Sequence, residues 1–238
     1  MVISLVLRVS YDLPVNGGPA NNGATRHNGI VTIVQPTLDL WDEPVSHHSD
    51  RIVAHSTDRV AWLRARSRGI TATDVARLSS HRSIAAVAYD KINGSSFGGN
   101  AYTDHGNERE PEIARWVLAN HGITPSAALY HSAFEKAHLA TPDGVAEISG
   151  SVVLAEIKTT SSEWKTIPRS YLRQIWWQQY VLGADRTLLV WEQHSNFVPV
   201  AAEPRCEWIE RDENQIHILV ELANSLLARV SAGHRIPR

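Results

Sequence analysis

Cysteine is almost absent: Cys206 stands alone among 238 residues. A single thiol excludes an intramolecular disulfide. It also excludes a cysteine-built iron–sulfur cluster or structural zinc site within one chain. Such poverty in cysteine fits a reducing cytoplasm. Apolar runs long enough to span a bilayer are missing too, so neither a transmembrane helix nor a membrane partner is expected. Met1 to Tyr11 carries no basic leader and no small-residue cleavage site, and no signal peptide is expected. An excess of positive charge is lacking as well, and the net charge of -2 offers no support for a nucleic-acid partner. Lysine is scarce, with four residues against nineteen arginines, so Lys158 belongs to a rare type in this chain.

What is present is ordinary for a soluble globular protein: 43% hydrophobic and 20% charged residues, enough for a sizeable α/β core with an appendage. Residues 1–55 read as an accessory N-terminal segment. Ile3, Leu5, Leu7, Val9, Tyr11 and Leu13 alternate as in a half-buried strand. A loop rich in Gly and Asn follows, then a second strand at Ile30–Val34 that could close a β-hairpin. Residues 35–55 carry little pattern.

From residue 56 onward the pattern strengthens. Helices are expected over Thr57–Ser67, from Thr71 or Thr73, from Ser83 to Ile92, and from Pro111, placed in a first turn, to about Asn120. Ser95–Asp104 reads as a loop. Strands follow at Ala128–Phe134, Ala137–Thr141, Val145–Ile148 and Val152–Lys158, with Ser149-Gly150 as a tight turn. A helix over Ser170–Leu182, strands at Thr187–Gln193, Phe197–Ala201 and Glu207–Glu210, and a closing helix over Asp212–Val230 complete the chain. This order predicts an α/β fold with a mixed central β-sheet flanked by helices.

The chemistry concentrates at Asp143 and, thirteen residues later, at Glu156-Ile157-Lys158. Two carboxylates can hold a hard divalent cation such as Mg²⁺, which prefers oxygen ligands and keeps several waters. The carbonyl of Ile157 could add a backbone oxygen. Residues two apart on a strand face the same side, so Lys158 would project beside Glu156, where its ammonium can orient an attacking water. Glu and Lys two apart also decorate solvent-exposed strands. The unbroken apolar run Val152-Val-Leu-Ala ahead of Glu156 argues instead for an interior strand, where a charge needs a purpose.

Pro142-Asp143 followed by Glu156-Ile157-Lys158 resembles the PD-(D/E)XK nuclease motif. Further segments agree in order with the lambda-type phage exonuclease and viral recombinase family of that superfamily. They are Trp62-x-x-x-Arg66-x-x-x-Ile70-Thr-Ala-Thr73-Asp74, Gly106-x-x-x-Glu110-Pro111, Thr141-Pro-Asp143-Gly144 and Tyr171-x-x-Gln174-x-x-x-Gln178. The resemblance runs from about Trp62 to Trp191 and implies a restriction-endonuclease-like core over residues 56–238. It implies metal binding by Asp143 and Glu156 with Glu110, although Glu108 and Glu112 are neighbouring carboxylates of the same kind. Lys158 and Gln174 would serve the reacting water, and Gln178 and Tyr180 could contact DNA. Arg66 and Thr73 would grip a DNA 5′-phosphate, with Arg64 and Arg68 as alternatives.

The implied activity is that of a Mg²⁺-dependent exonuclease, with Mn²⁺ as a substitute, acting 5′ to 3′ on linear double-stranded DNA in phage recombination. A homotrimer and a single-strand annealing protein are the implied partners, and a bacterial host's cytoplasm is the implied location. An endonuclease of the same superfamily and a catalytically idle DNA-binding module are the rivals. Trp176 and Trp177 read as core. His47-His48 shows no third residue at metal-ligand spacing and is expected to be inert.

Overall fold

The computed structural model of the chain describes residues 46–94 and 99–233. The strands expected at Ile3–Leu13 and Ile30–Val34, and the loop between them, lie outside the described residues. Within the described part the elements run β1 (Ile52–His55), α1 (Arg59–Arg68), β2 (Ile70–Thr71), α2 (Ala72–Ala76), α3 (His81–Asn93), α4 (Ala101–His121), β3 (Thr124–Pro125), β4 (Ala128–His131) and β5 (His138–Ala140). They continue through β6 (Gly144–Ile148), β7 (Ser151–Thr160), α5 (Arg169–Leu182), β8 (Arg186–Ser195), β9 (Val198–Pro199), β10 (Arg205–Glu210) and α6 (Glu213–Gly233).

Two mixed sheets result. One has the order β1-β4-β5-β2, with β2 and β5 parallel. The other has the order β10-β8-β7-β6-β3, with β9 attached to β8 and a parallel β7–β8 pair at its centre. Strand β7 is therefore interior, and its alternation sorts its side chains between two layers. Val153, Ala155 and Ile157 pack with Ile113, Ala114 and Val117 of α4. Leu154 joins Trp176 and Trp177 of α5 in the larger core, on the face that also carries Glu156 and Lys158.

Several expectations shift. Pro111 was placed in the first turn of a helix, but α4 begins ten residues earlier and holds Pro111 in its interior. The Asn100 side chain accepts from the amides of Tyr102 and Thr103, both at 3.1 Å, and so starts the helix ahead of any apolar stripe. Pro111 is exposed, so the carbonyl that loses its helical donor can turn to water. Residues 99–104, read as loop, are thus largely helical.

The segment set apart as residues 1–55 also needs division. Ile52–His55 is a strand paired antiparallel with β4, and the described residues fall in one compact unit. Arg51, buried to 3% exposure, donates to the carbonyls of His131 (2.9 Å) and Leu182 (3.1 Å). Its guanidinium thus sits at the C-terminus of α5, where the helix dipole favours a cation.

Glycine matters at two points of close approach. A Cβ at Gly144 would lie 3.1 Å from that of Ala155 and 3.3 Å from the Thr124 carbonyl, so glycine lets the chain beside Asp143 lie against both neighbours. A Cβ at Gly106 would meet the Thr159 hydroxyl at 3.3 Å, which is where α4 crosses β7 one turn before Glu110.

Candidate active site

Asp143 precedes β6 and is pinned by backbone bonds on two sides. Its amide donates to the Ala155 carbonyl (3.1 Å), and its own carbonyl accepts from Ser126 (2.9 Å). The side chain turns back across the hairpin, where Oδ2 accepts the Ile157 amide at 2.7 Å. Glu156 lies at the centre of β7 with 1% of its surface exposed. A carboxylate so buried requires partners, and it has three. Lys158 Nζ and Gln174 Nε2 both donate to Oε1, while Gln178 Nε2 donates to Oε2 at 2.7 Å. Gln174 and Gln178 reach the same carboxylate because residues four apart share a face of α5.

The electrostatics report crowding of like charge. Burial first, then Glu156 and Glu110, push the Asp143 carboxyl well above the usual range, against the opposing pull of Lys158. Glu110, on α4, is also pushed up by desolvation and then by Glu156. For Lys158, burial favours the neutral amine, but the charges of Glu156 and Asp143 outweigh it and raise its pKa above the ordinary lysine value. Lys158 is therefore an ammonium throughout the physiological range. Its Nζ also stands 5.3 Å from the centre of the Tyr171 ring.

Three carboxylates thus share one ammonium. This donor set is all oxygen and short of positive charge, the chemistry a hard divalent cation prefers. The neighbouring acids are differently occupied. Glu112 pairs with Arg109, whose guanidinium also grips Glu192 through two bonds of 2.8 and 2.6 Å. Glu108 is exposed.

The structure brings Arg66 and Thr73 together at a second place. Arg66 Nη2 donates to Thr73 Oγ1 at 3.5 Å, and the guanidinium stacks 4.2 Å from the centre of the Trp62 ring. Burial lowers the Arg66 pKa, with Asp74 opposing. Thr71, not Thr73, caps α2, through a reciprocal box with Asp74. That leaves the exposed Thr73 hydroxyl available to an anion. Lys91 supports the corner by donating to Asp74 (2.7 Å) and to the Arg66 carbonyl (3.1 Å). Arg64 and Arg68 are exposed on α1.

Of the two residues expected to touch DNA, Gln178 is out of reach. Gln178 is completely buried and braces Glu156. Tyr180 lies about 200° further round α5, with its hydroxyl 3.1 Å from His138 Nδ1 and its ring stacked on Phe134. Trp177 is core, as expected, and donates to the Leu139 carbonyl at 3.0 Å. Tyr171 covers Lys158, a role its position three residues before Gln174 makes geometrically possible. His47-His48 was read as lacking a third ligand-type residue; Glu147, one hundred residues along the chain, supplies it.

Among the described residues, no helix is long and apolar enough to cross a membrane. No curated protein sequence matches the chain. Among solved structures, an alkaline exonuclease from Laribacter hongkongensis (LHK-Exo) is similar at 24% identity and a TM-score of 0.57, covering 72% of this chain and 92% of that one. The same enzyme in complex with dAMP is similar at 22% identity and a TM-score of 0.55, with the same coverage. A phage-related exonuclease from Haemophilus somnus 129PT aligns at 12% identity and a TM-score of 0.54, over 69% of this chain and 94% of that one. These likenesses establish the restriction-endonuclease-like fold of phage exonucleases. The model of the YqaJ-like viral recombinase domain matches residues 61–185, just over half of the chain. That span holds α4, the β6–β7 hairpin and α5, and with them every carboxylate and amide of the site; by this match the chain belongs to the YqaJ-like viral recombinase family.

Proposed function

We propose that this protein is a Mg²⁺-dependent deoxyribonuclease that degrades linear double-stranded DNA from its 5′ ends during phage-type recombination, with Mn²⁺ able to replace Mg²⁺. The observation that carries the reading is the arrangement of Asp143, Glu156 and Lys158 around Ile157 on an interior hairpin, with Gln174 on the same carboxylate as Lys158.

Each residue has a part. Asp143, Glu156 and Glu110 hold the cation, and the Ile157 carbonyl is a candidate fourth oxygen. When bound, the cation supplies Lewis acidity, lowering the pKa of water and stabilising charge on the leaving 3′-oxygen. Lys158, whose ammonium lies against Glu156, acts by charge. It orients the attacking water and stabilises negative charge growing on the phosphate oxygens. Gln174 and Gln178 fix the Glu156 rotamer, so that the carboxylate meets the cation without reorganising.

Arg66 and Thr73 supply a fork and a hydroxyl for a 5′-phosphate. A 5′-phosphate anchored there would give the enzyme its direction, since α2 is tied to α5, the helix of Gln174, by Arg173 donating to the Ala76 carbonyl. The dAMP held by LHK-Exo is a mononucleotide, and we carry it to this chain as the expected type of product. Family membership further suggests a homotrimer and a single-strand annealing partner.

The test is digestion of end-labelled linear duplexes bearing 5′-phosphate or 5′-hydroxyl ends, beside a covalently closed circle, with Mg²⁺ and with chelator. Mononucleotide release from linear DNA alone, faster on phosphorylated ends and abolished by chelator, is expected. Cutting of the circle would replace this reading with an endonuclease. Cation-independent cleavage would end both.

A further inference from the structure

Away from the carboxylate site, the 3₁₀ turn His48–Arg51, with His47 just ahead of it, and the exposed Glu147 of β6 bring two imidazoles and a carboxylate together. His47 Nε2 contacts Glu147 Oε1, and His48 Nδ1 lies 3.6 Å from the same oxygen. The three candidate ligand atoms lie within 4.8 Å of one another. We propose that His47, His48 and Glu147 form a binding site for a first-row divalent transition ion such as Zn²⁺, distinct from the site proposed for Mg²⁺.

The geometry comes near what such an ion needs, with the direct His47–Glu147 hydrogen bond to be replaced by two bonds to the ion. Ligands about 2.0–2.1 Å from a tetrahedral Zn²⁺ stand roughly 3.4 Å apart. The separation of 3.6 Å between His48 and Glu147 is already close to that value. His48 Nδ1 has no hydrogen-bond partner among the described residues, although its side chain is only 11% exposed. A buried ring nitrogen left unmatched is an unsatisfied group that a metal would satisfy.

His47 has a supporting partner on its other nitrogen. Its Nδ1 accepts from the Ser49 amide at 3.3 Å and lies 2.8 Å from Ser49 Oγ; on metal binding it would exchange that amide for donation to Oγ, freeing Nε2 as a ligand. Imidazole nitrogens select Zn²⁺ and its neighbours over Mg²⁺, which prefers oxygen. His48 and Glu147 also line a cavity of about 560 Å³, with room for water as a fourth ligand. His55 lines the same cavity.

The site would work as a clip. It ties the segment leading into β1 to the β6–β7 hairpin, whose other end carries Asp143 about 13 Å along the strand. Occupation would stiffen that hairpin without using any carboxylate of the nuclease site.

The test uses untagged full-length protein in an Asp143→Asn background with excess Mg²⁺, so that any binding left at the nuclease carboxylates is common to every sample. Co²⁺ and Zn²⁺ titrations followed by visible absorption and calorimetry should give one equivalent of tight binding that Mg²⁺ does not displace. Addition of Glu147→Gln or His47→Ala, both at exposed positions, should weaken that equivalent by more than about 100-fold, with unchanged circular dichroism. Absence of the tight equivalent in the parent would overturn the proposal. So would its persistence at equal affinity in Glu147→Gln.

Discussion

The carboxylate site and the Arg66–Thr73 corner are built in opposite ways. The first is assembled from residues far apart in the chain, on a hairpin and two helices, and its central acid is 1% exposed. The second is local: two residues seven apart, on helices separated only by the two-residue β2, with Thr73 open to solvent. Long-range assembly lets the core force like charges together, which creates a demand for a cation. Local assembly leaves a guanidinium and a hydroxyl ready for a mobile anion. The one should govern whether bonds break, and the other which DNA ends are taken.

Four perturbations sharpen that contrast. The largest effect belongs to Asp143→Asn, which should abolish cleavage and weaken Mg²⁺ binding by at least tenfold in calorimetry. Retained cation affinity would move the binding duty elsewhere. Next, Gln178→Ala strips a buried charge of one hydrogen bond and should cost about 1.5–3 kcal/mol in urea unfolding. A loss below about 0.5 kcal/mol would show that Glu156 does not need that brace.

Arg66→Ala should leave folding intact and reduce the preference for 5′-phosphorylated over 5′-hydroxyl ends by roughly tenfold, in keeping with the loss of one charge-assisted contact. Equal loss on both kinds of end would remove the corner from end selection.

The smallest effect concerns stability in chelator. The folded-state pKa of Asp143 is raised, so its ionisation destabilises the fold as pH rises through that value. Without metal, Asp143→Asn should therefore melt above the wild type at pH 8, and the gap should close as pH falls below the raised pKa. A wild type more stable than the variant at pH 8 would contradict the crowding of charge inferred for the site.

Much of this was legible in the sequence, for physical reasons. Val152 to Lys158 announced an interior strand carrying two charges, and the alternation that places Glu156 beside Lys158 follows from strand geometry alone. Gln174 and Gln178 shared a helix face by spacing, yet spacing could not tell solvent from core; Gln178 went to the core because Glu156 needed a donor there. The start of α4 was hidden because Ala101 to Glu112 is polar, and its signal was the single cap Asn100. Strand β1 is four residues long and gains its identity only from β4. His47-His48 could not be paired with Glu147 from the sequence, since only the fold closes a gap of one hundred residues.

The central claim is that Lys158 works by charge on a cation-loaded acid pair. Single-turnover cleavage of a 5′-phosphorylated linear duplex by Lys158→Ala, with DNA and Mg²⁺ binding measured on the same sample, tests it most directly. Cleavage slower by about 10²–10³-fold with both affinities retained is the predicted result. Cleavage at the wild-type rate would contradict it.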